Sequence, residues 1–313
     1  MKKLTVFAMT EKGYAVVKLL LSRHPGLVVA VVAARDTAMA QDYFDQIAEL
    51  CRINNIRFCD RNTGFSIQTD YALAVAWRWL IDASPARLIV LHDSLLPRYR
   101  GFNPLVTALI KGDAEIGVTA LYATAEYDLG DIIAQSSSAI SYPIRIQEAI
   151  KTVVGHYEAL VTNIAGILMR GEEPMAKPQD EADASYSLWR DDEDYFVDWS
   201  HSAIEIKRFI NAVGYPYKGA AATLAGKIVR IRDAEALDDV RIANRTPGKV
   251  IFLKDAKPVV VCGQGLLKVI ELVDDGTGAS LLPLSHFRIR FGGKAEPAAP
   301  AHAARPGSAA SVS

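Results

Sequence analysis

The chain has 313 residues, half of them hydrophobic, and 35 Lys and Arg against 36 Asp and Glu leave a formal charge of −1. That length accommodates one large domain and a smaller one, and the charge balance lacks the basic excess that drives non-specific nucleic-acid binding. No apolar run approaches a membrane span, and Thr10-Glu11-Lys12 interrupts the first apolar stretch too early for a secretory signal.

Cys51, Cys59 and Cys262 are widely spaced, with no CxxC and no nearby histidine pair. They read as reduced, partly buried thiols of a cytoplasmic protein that holds no metal. In chain order, residues 4–9 predict a first strand, with a turn at Lys12-Gly13 and a helix to about Ser22. Residues 26–34 (GLVVAVVAA) predict a fully buried second strand, residues 40–54 a helix, and residues 56–59 a short third strand. Residues 71–77 (YALAVAW) and 86–91 (ARLIVL) add two more strands. Strand alternating with helix in this rhythm argues a doubly wound, Rossmann-like, mostly parallel α/β sheet. The first turn lacks GxGxxG, so a dinucleotide site is not supported.

Next come a helix over residues 103–111, a strand over 116–123, a polar turn at Tyr127-Asp128-Leu129-Gly130-Asp131 and a long amphipathic helix over 146–168. These close a first unit over residues 1–170. Residues 171–195 are polar, acidic and Pro-containing and read as a linker. A second unit over 196–292 opens with a helix over 202–213 and continues in short β-like runs separated by Gly and Asp turns. That is the pattern of a small, OB-like β-barrel domain. The tail over 293–313 is low-complexity and reads as disordered.

Leu91-His92-Asp93-Ser94-Leu95-Leu96-Pro97-Arg98-Tyr99-Arg100-Gly101 leaves the end of a buried strand, where open α/β sheets bind their ligands. His92 there and Asp128 in a later turn face the same sheet edge, and an imidazole oriented by a carboxylate moves protons near neutral pH. Taken singly, a strand-end histidine and a turn aspartate are ordinary structural residues. The basic loop around them shifts the balance, because Arg98 and Arg100 beside Pro97 and Gly101 suit an anionic ligand. Solvated loop charges are the alternative. Trp77-Arg78-Trp79-Leu80-Ile81, just past a strand, offers two indoles as a slot for a flat heterocycle. Core packing is the commoner use of such residues. Residues 196–294 carry fifteen Lys and Arg against ten Asp and Glu, a mild excess that permits contact with a phosphate-bearing substrate.

His92-x-Ser94-Leu95-Leu96-Pro97-x-Tyr99-Arg100-Gly101, followed by Gly117-Val118-Thr119 and Asp128-x-Gly130-Asp131-Ile132, resembles the folate-dependent formyltransferases. That family includes methionyl-tRNA, glycinamide ribonucleotide and nucleotide-sugar members. Residues 77–81 look like the segment whose backbone receives the pterin in the formyltransferase domain of the bifunctional aminoarabinose-modifying enzyme. Asp198-Trp199, residues 206–211 and Tyr215-Pro216-Tyr217-Lys218-Gly219-Ala220 resemble the start of the C-terminal domain in the sugar and tRNA members. The likeness runs over roughly residues 1–290.

The resemblance implies transfer of a formyl group from 10-formyltetrahydrofolate to an amine, without a metal. His92 and Asp128 would carry the proton. Arg78, Trp79, Leu80, Ile81, Leu96 and Tyr127 would hold the folate, with Leu95-Leu96-Pro97 as a water-excluding wall. Ser94, Arg98, Arg100 and Asn103 would meet the acceptor. The family's asparagine two positions before the histidine is Val90 here, and loss of one oxyanion donor costs ~100- to 1000-fold in rate. Ser94, Asn103 and protonated His92 are the candidate replacements. The preferred acceptor is a nucleotide-linked amino sugar, with methionyl-tRNA as the alternative and a non-catalytic folate- or nucleotide-sugar-binding relative as the third. Related sugar enzymes suggest a homodimer.

Overall fold

The computed structural model describes residues 1–36, 39, 41–284 and 286–293; beyond Gly293 the expected disordered tail lies outside them. The first sheet is built from β1 (Leu4–Ala8), β2 (Val28–Ala33), β3 (Arg57–Asp60), β4 (Tyr71–Val75), β5 (Arg87–His92), β7 (Glu115–Tyr122) and β8 (Ile132–Ala139). Its order is β3-β2-β1-β4-β5-β7-β8. The first five strands run parallel, while β7 pairs antiparallel to β5 and β8 antiparallel to β7. The chain reverses direction across the sheet between β1 and β4, and the crevice at the strand ends lies at such a switch point.

Helices α1 (Thr10–Arg23), α2 (Phe44–Ile53) and α4 (Ile146–Met169) cover one face of this sheet, with Val16, Val17 and Leu20 packed in a single core with Val153, Tyr157 and Leu160. The opposite face is covered differently. Right-handed crossover places the β4-to-β5 connection there, and in this chain that connection is a helix-free loop. Its Trp77, Ile81, Ala83 and Ala86 pack over Phe7, Val32 and Ala72 in a small second core. A loop covers less than a helix does, and a hollow remains beside it.

Three local readings are revised. Lys12-Gly13 is no turn, because α1 already begins at Thr10. A Cβ on Gly13 would lie 3.0 Å from the Ala8 backbone, so that glycine serves close helix–strand packing. The second helix starts at Phe44, after Tyr43 in a left-handed conformation and with the Phe44 N–H donating to Asp42. Strand β8, unanticipated, has the weakly β-forming sequence IIAQSSSA and pairs along β7 at the sheet edge.

Short strand β6 (Arg100–Gly101) and helix α3 (Pro104–Lys111) follow β5. Residues 171–195, read as a linker, connect the two sheets and also pair with the loop after β5. Their β9 (Tyr186–Ser187) lies parallel to β6, and the Arg100 N–H donates to the Ser185 carbonyl at 2.8 Å.

The second unit opens with α5 (Ala203–Ala212), capped by Ser202 and Glu205, each side chain satisfying the other's backbone N–H. Strands β10 (Ala220–Leu224), β11 (Lys227–Leu237), β12 (Val250–Lys254), β13 (Lys257–Val261), β14 (Leu266–Asp274) and β15 (Phe291–Gly292) make an antiparallel sheet ordered β12-β13-β14-β11-β10-β15. A bridge between Lys249 and Arg290 brings its two edges together, so the sheet curls into a half-barrel. The Arg208 guanidinium reaches the Ile110 carbonyl of α3 and ties α5 to the first unit.

Candidate active site

Strand alternation sorts the residues of β5. Ile89 and Leu91 enter the core beneath the helices, and Leu88 packs on the loop-covered face. Val90 and His92 share Leu88's face, and both line a cavity of about 970 Å³ that opens at the strand ends. The His92 side chain is 8% exposed, with Nδ1 3.4 Å from Asp128 Oδ1 and Nε2 2.9 Å from the Tyr99 carbonyl. A carbonyl and a carboxylate only accept hydrogen bonds, so both ring nitrogens face acceptors. Asp128 Oδ2 accepts the Gly101 N–H at 2.8 Å.

The loop between His92 and Gly101 is anchored from beneath. Buried Thr119 accepts from the Leu96 N–H at 3.0 Å and donates to the Ser94 carbonyl at 2.6 Å. Gln135 donates to the Leu96 carbonyl at 2.8 Å. Gly117 leaves room for this loop: a Cβ there would lie 2.7 Å from the Leu95 side chain. Gly130 is required more strictly, since a Cβ would sit 1.6 Å from the Tyr122 carbonyl oxygen.

Several residues expected at the ligand are turned to other work. The Arg100 side chain is 0% exposed and its guanidinium donates to Gln179 and Glu181 at 2.7–3.0 Å. Gln179 in turn donates to the Asp128 and Gly130 carbonyls, so Arg100 positions the Asp128 turn instead of binding an anion. Arg98 pairs with Asp113 at 2.7 Å. The Ser94 hydroxyl donates to the Arg98 carbonyl at 2.7 Å, and Leu96 is buried with its backbone held by Thr119 and Gln135. None of these four lines the cavity. Arg78, Trp79, Leu80, Ile81, Tyr127, Asn103, His92 and Asp128 do.

One arm of the cavity lies over the loop-covered face. Trp77 meets Phe7 and Trp79 edge-on at ring separations of 5.2 and 5.3 Å. The Trp77 indole N–H is buried with no hydrogen-bond partner, an orphan donor in an aromatic wall. Arg78 forms an ion pair with Asp36 and so pins the loop to the end of β2. Leu80 is exposed at the rim.

The other arm lies toward the helices. There Lys12 forms an ion pair with Asp93, and the Tyr157 hydroxyl donates to the same carboxylate at 2.5 Å. Burial works against the Asp93 charge, but the Lys12 ammonium and the two hydrogen bonds outweigh it and hold the carboxyl below its ordinary range. The same burial, beside that carboxylate, pushes the Tyr157 phenol well up. Tyr215 and Tyr217 of the second unit also line the cavity. Sequence reasoning missed Lys12, Asp93, Tyr157 and Gln179. Asp93 stood at a variable position of the motif, Lys12 was read as part of a turn, and for Gln179 no local signal exists. Among the described residues no group of three or more His, Cys, Asp or Glu is gathered as a metal site.

A switched α/β sheet carrying a half-barrel, with a His–Asp pair lining a strand-end cavity, defines a two-part α/β protein with a candidate site at the sheet edge. Residues 58–157 match the formyl transferase family model and residues 190–279 the model of the formyl transferase C-terminal domain. The chain belongs to the formyltransferase family. It is 34% identical over 204 residues to the methionyl-tRNA formyltransferase of Ralstonia nicotianae, covering 64% of this chain and 60% of that protein. With the enzyme of the same name from Paraburkholderia phymatum it shares 30% identity over 208 residues, 66% of this chain and 62% of that one. The chain thus spans about three fifths of the length of these curated relatives. The N-formyltransferase of Helicobacter canadensis, solved with folinic acid and dTDP-3-aminofucose, superposes with a TM-score of 0.66 over 86% of this chain and 99% of that one. At 15% identity this likeness is one of fold.

Proposed function

We propose that the chain transfers the formyl group of 10-formyltetrahydrofolate to a primary amine, that of a nucleotide-linked amino sugar. The observation that carries the reading is the His92–Asp128 pair, held from both sides in the lining of the cavity. The aromatic arm suits the pterin: it has two indoles for a flat ring and an unpaired Trp77 donor for a ring heteroatom. The folate is a substrate here, and Arg78, Trp79, Leu80, Ile81 and Tyr127 would surround it.

The neutral amine attacks the formyl carbon, and the carbonyl π electrons move to oxygen. Collapse reforms the carbonyl and breaks the carbon–N10 bond. Asp128 takes the proton lost by the amine and the His92–Asp128 pair returns one proton to N10, which leaves tetrahydrofolate and the formamide. His92 as imidazolium lowers the energy of the developing oxyanion, and Asp128 keeps that charge in place.

The curated relatives favour a second reading, a tRNA acceptor. Against it stand the formal charge of −1 and three arginines at this edge, Arg78, Arg98 and Arg100, each paired to a carboxylate. The test is release of tetrahydrofolate from 10-formyltetrahydrofolate with a panel of amino-sugar nucleotides and with methionyl-tRNA. Turnover with one sugar supports the reading. Turnover with tRNA alone, at an affinity falling steeply with salt, replaces it, and folate binding without turnover marks a binding protein.

A further inference from the structure

With Val90 in place of an amide, the formyl oxygen needs a neutral donor from elsewhere, and three residues had been open for that role. Ser94 is removed, since its hydroxyl is spent on the Arg98 carbonyl and the residue is buried outside the cavity. Both nitrogens of His92 already face acceptors, Tyr99 and Asp128. Each is directed at a protein acceptor, so neither is free to hold the formyl oxygen as well.

Asn103 differs from both. It occupies the N-cap position of α3, where an asparagine side chain ordinarily accepts a first-turn N–H, yet it makes no capping hydrogen bond. Its backbone sits at φ 49°, ψ 40°, the left-handed region. No hydrogen bond to its carboxamide is found among the described residues, and it is half-buried in the cavity lining. The other amides of that lining, Gln41 and Gln147, are exposed. The backbone that carries Asn103 is the one that grips the catalytic pair. Tyr99 holds His92 through its carbonyl, and Gly101 holds Asp128 through its N–H.

We infer that Asn103 is a catalytic residue whose side-chain N–H donates to the formyl oxygen as it becomes the oxyanion, from α3 instead of from β5. This rests on the formyl-transfer reading. No extra reactant is required: the amide donates a hydrogen bond and keeps its proton.

The test uses Asn103→Asp and Asn103→Gly, both of which tolerate the left-handed backbone. The first keeps the shape and removes the donor, and the second removes the side chain. Expected in each is a fall in kcat of about 100-fold or more, with KM for the acceptor and affinity for folinic acid within a few-fold of wild type. Adding Val90→Asn to Asn103→Gly should recover part of the lost rate. Wild-type kcat in both variants overturns the assignment, and so does a loss confined to folate or acceptor affinity. A wild-type chain that binds folate but formylates no amine overturns the parent reading, and this one with it. Active wild type with unaffected variants overturns this one alone.

Discussion

Val90 and His92 stand two residues apart on one face of β5, and both line the cavity. His92 is fixed by two acceptors, while Val90 presents methyl groups to the cavity. The wall around Val90 belongs to the open cavity and not to the packed core, so an asparagine there would keep access to water or ligand. Val90→Asn is therefore expected to leave kcat unchanged or raise it, measured as tetrahydrofolate release. A large loss would show that the apolar wall itself is used in binding. At this scale the sequence was legible where a residue's role is fixed by its own position. His92 and Asp128 are expected on one edge because one ends a strand and the other sits in a turn, and they lie 3.4 Å apart. Arg98 and Arg100 were misread because a loop charge says nothing of its partner, and Asp113, Gln179 and Glu181 are 15, 79 and 81 residues away.

The elements meet at charges as well as at apolar faces. Lys12 of α1, Asp93 after β5 and Tyr157 of α4 form a network between the sheet edge and its covering helices. Removing one member of a buried pair strands the other, at a cost of about 3–5 kcal/mol. Asp93→Asn should lower stability by an amount in that range, read by urea unfolding at neutral pH. The pH dependence has a definite sign. Asp93 is held below its ordinary pKa in the folded chain, so its contribution is complete above the unfolded carboxylate range and is lost as pH falls through the depressed value. The stability gap between wild type and Asp93→Asn should therefore close in acid; a gap independent of pH would show that packing, not charge, is lost. Lys12 escaped notice because Gly13 reads as a turn former. Its real use, close approach of α1 to β1, is a tertiary fact that neighbours in sequence do not encode.

Over the whole molecule, the apolar runs made the parallel strands legible, and the short β runs after residue 220 made the antiparallel unit legible. Strand β8 was not, because its Ser-rich sequence follows from its place beside β7 and not from propensity. The pairing of β9 with β6 was invisible for a like reason: polar residues in an acidic stretch gain a structure only from the loop they meet. That pairing also gives the site its unity, since Arg100 and Gln179 link the segment between the two sheets to the Asp128 turn. No helix among the described residues is long and apolar enough to cross a membrane.

The proposed transfer of a formyl group from folate to an amine turns on His92, held by Asp128. The direct measurement follows isotopically labelled formyl from 10-formyltetrahydrofolate, comparing wild type with His92→Ala in the presence of an accepted amino-sugar nucleotide. Label is expected on the acceptor nitrogen with wild type and not with His92→Ala, while folate affinity stays within a few-fold. Label transferred at the wild-type rate by His92→Ala, or recovered from wild type only as formate, would contradict the proposal.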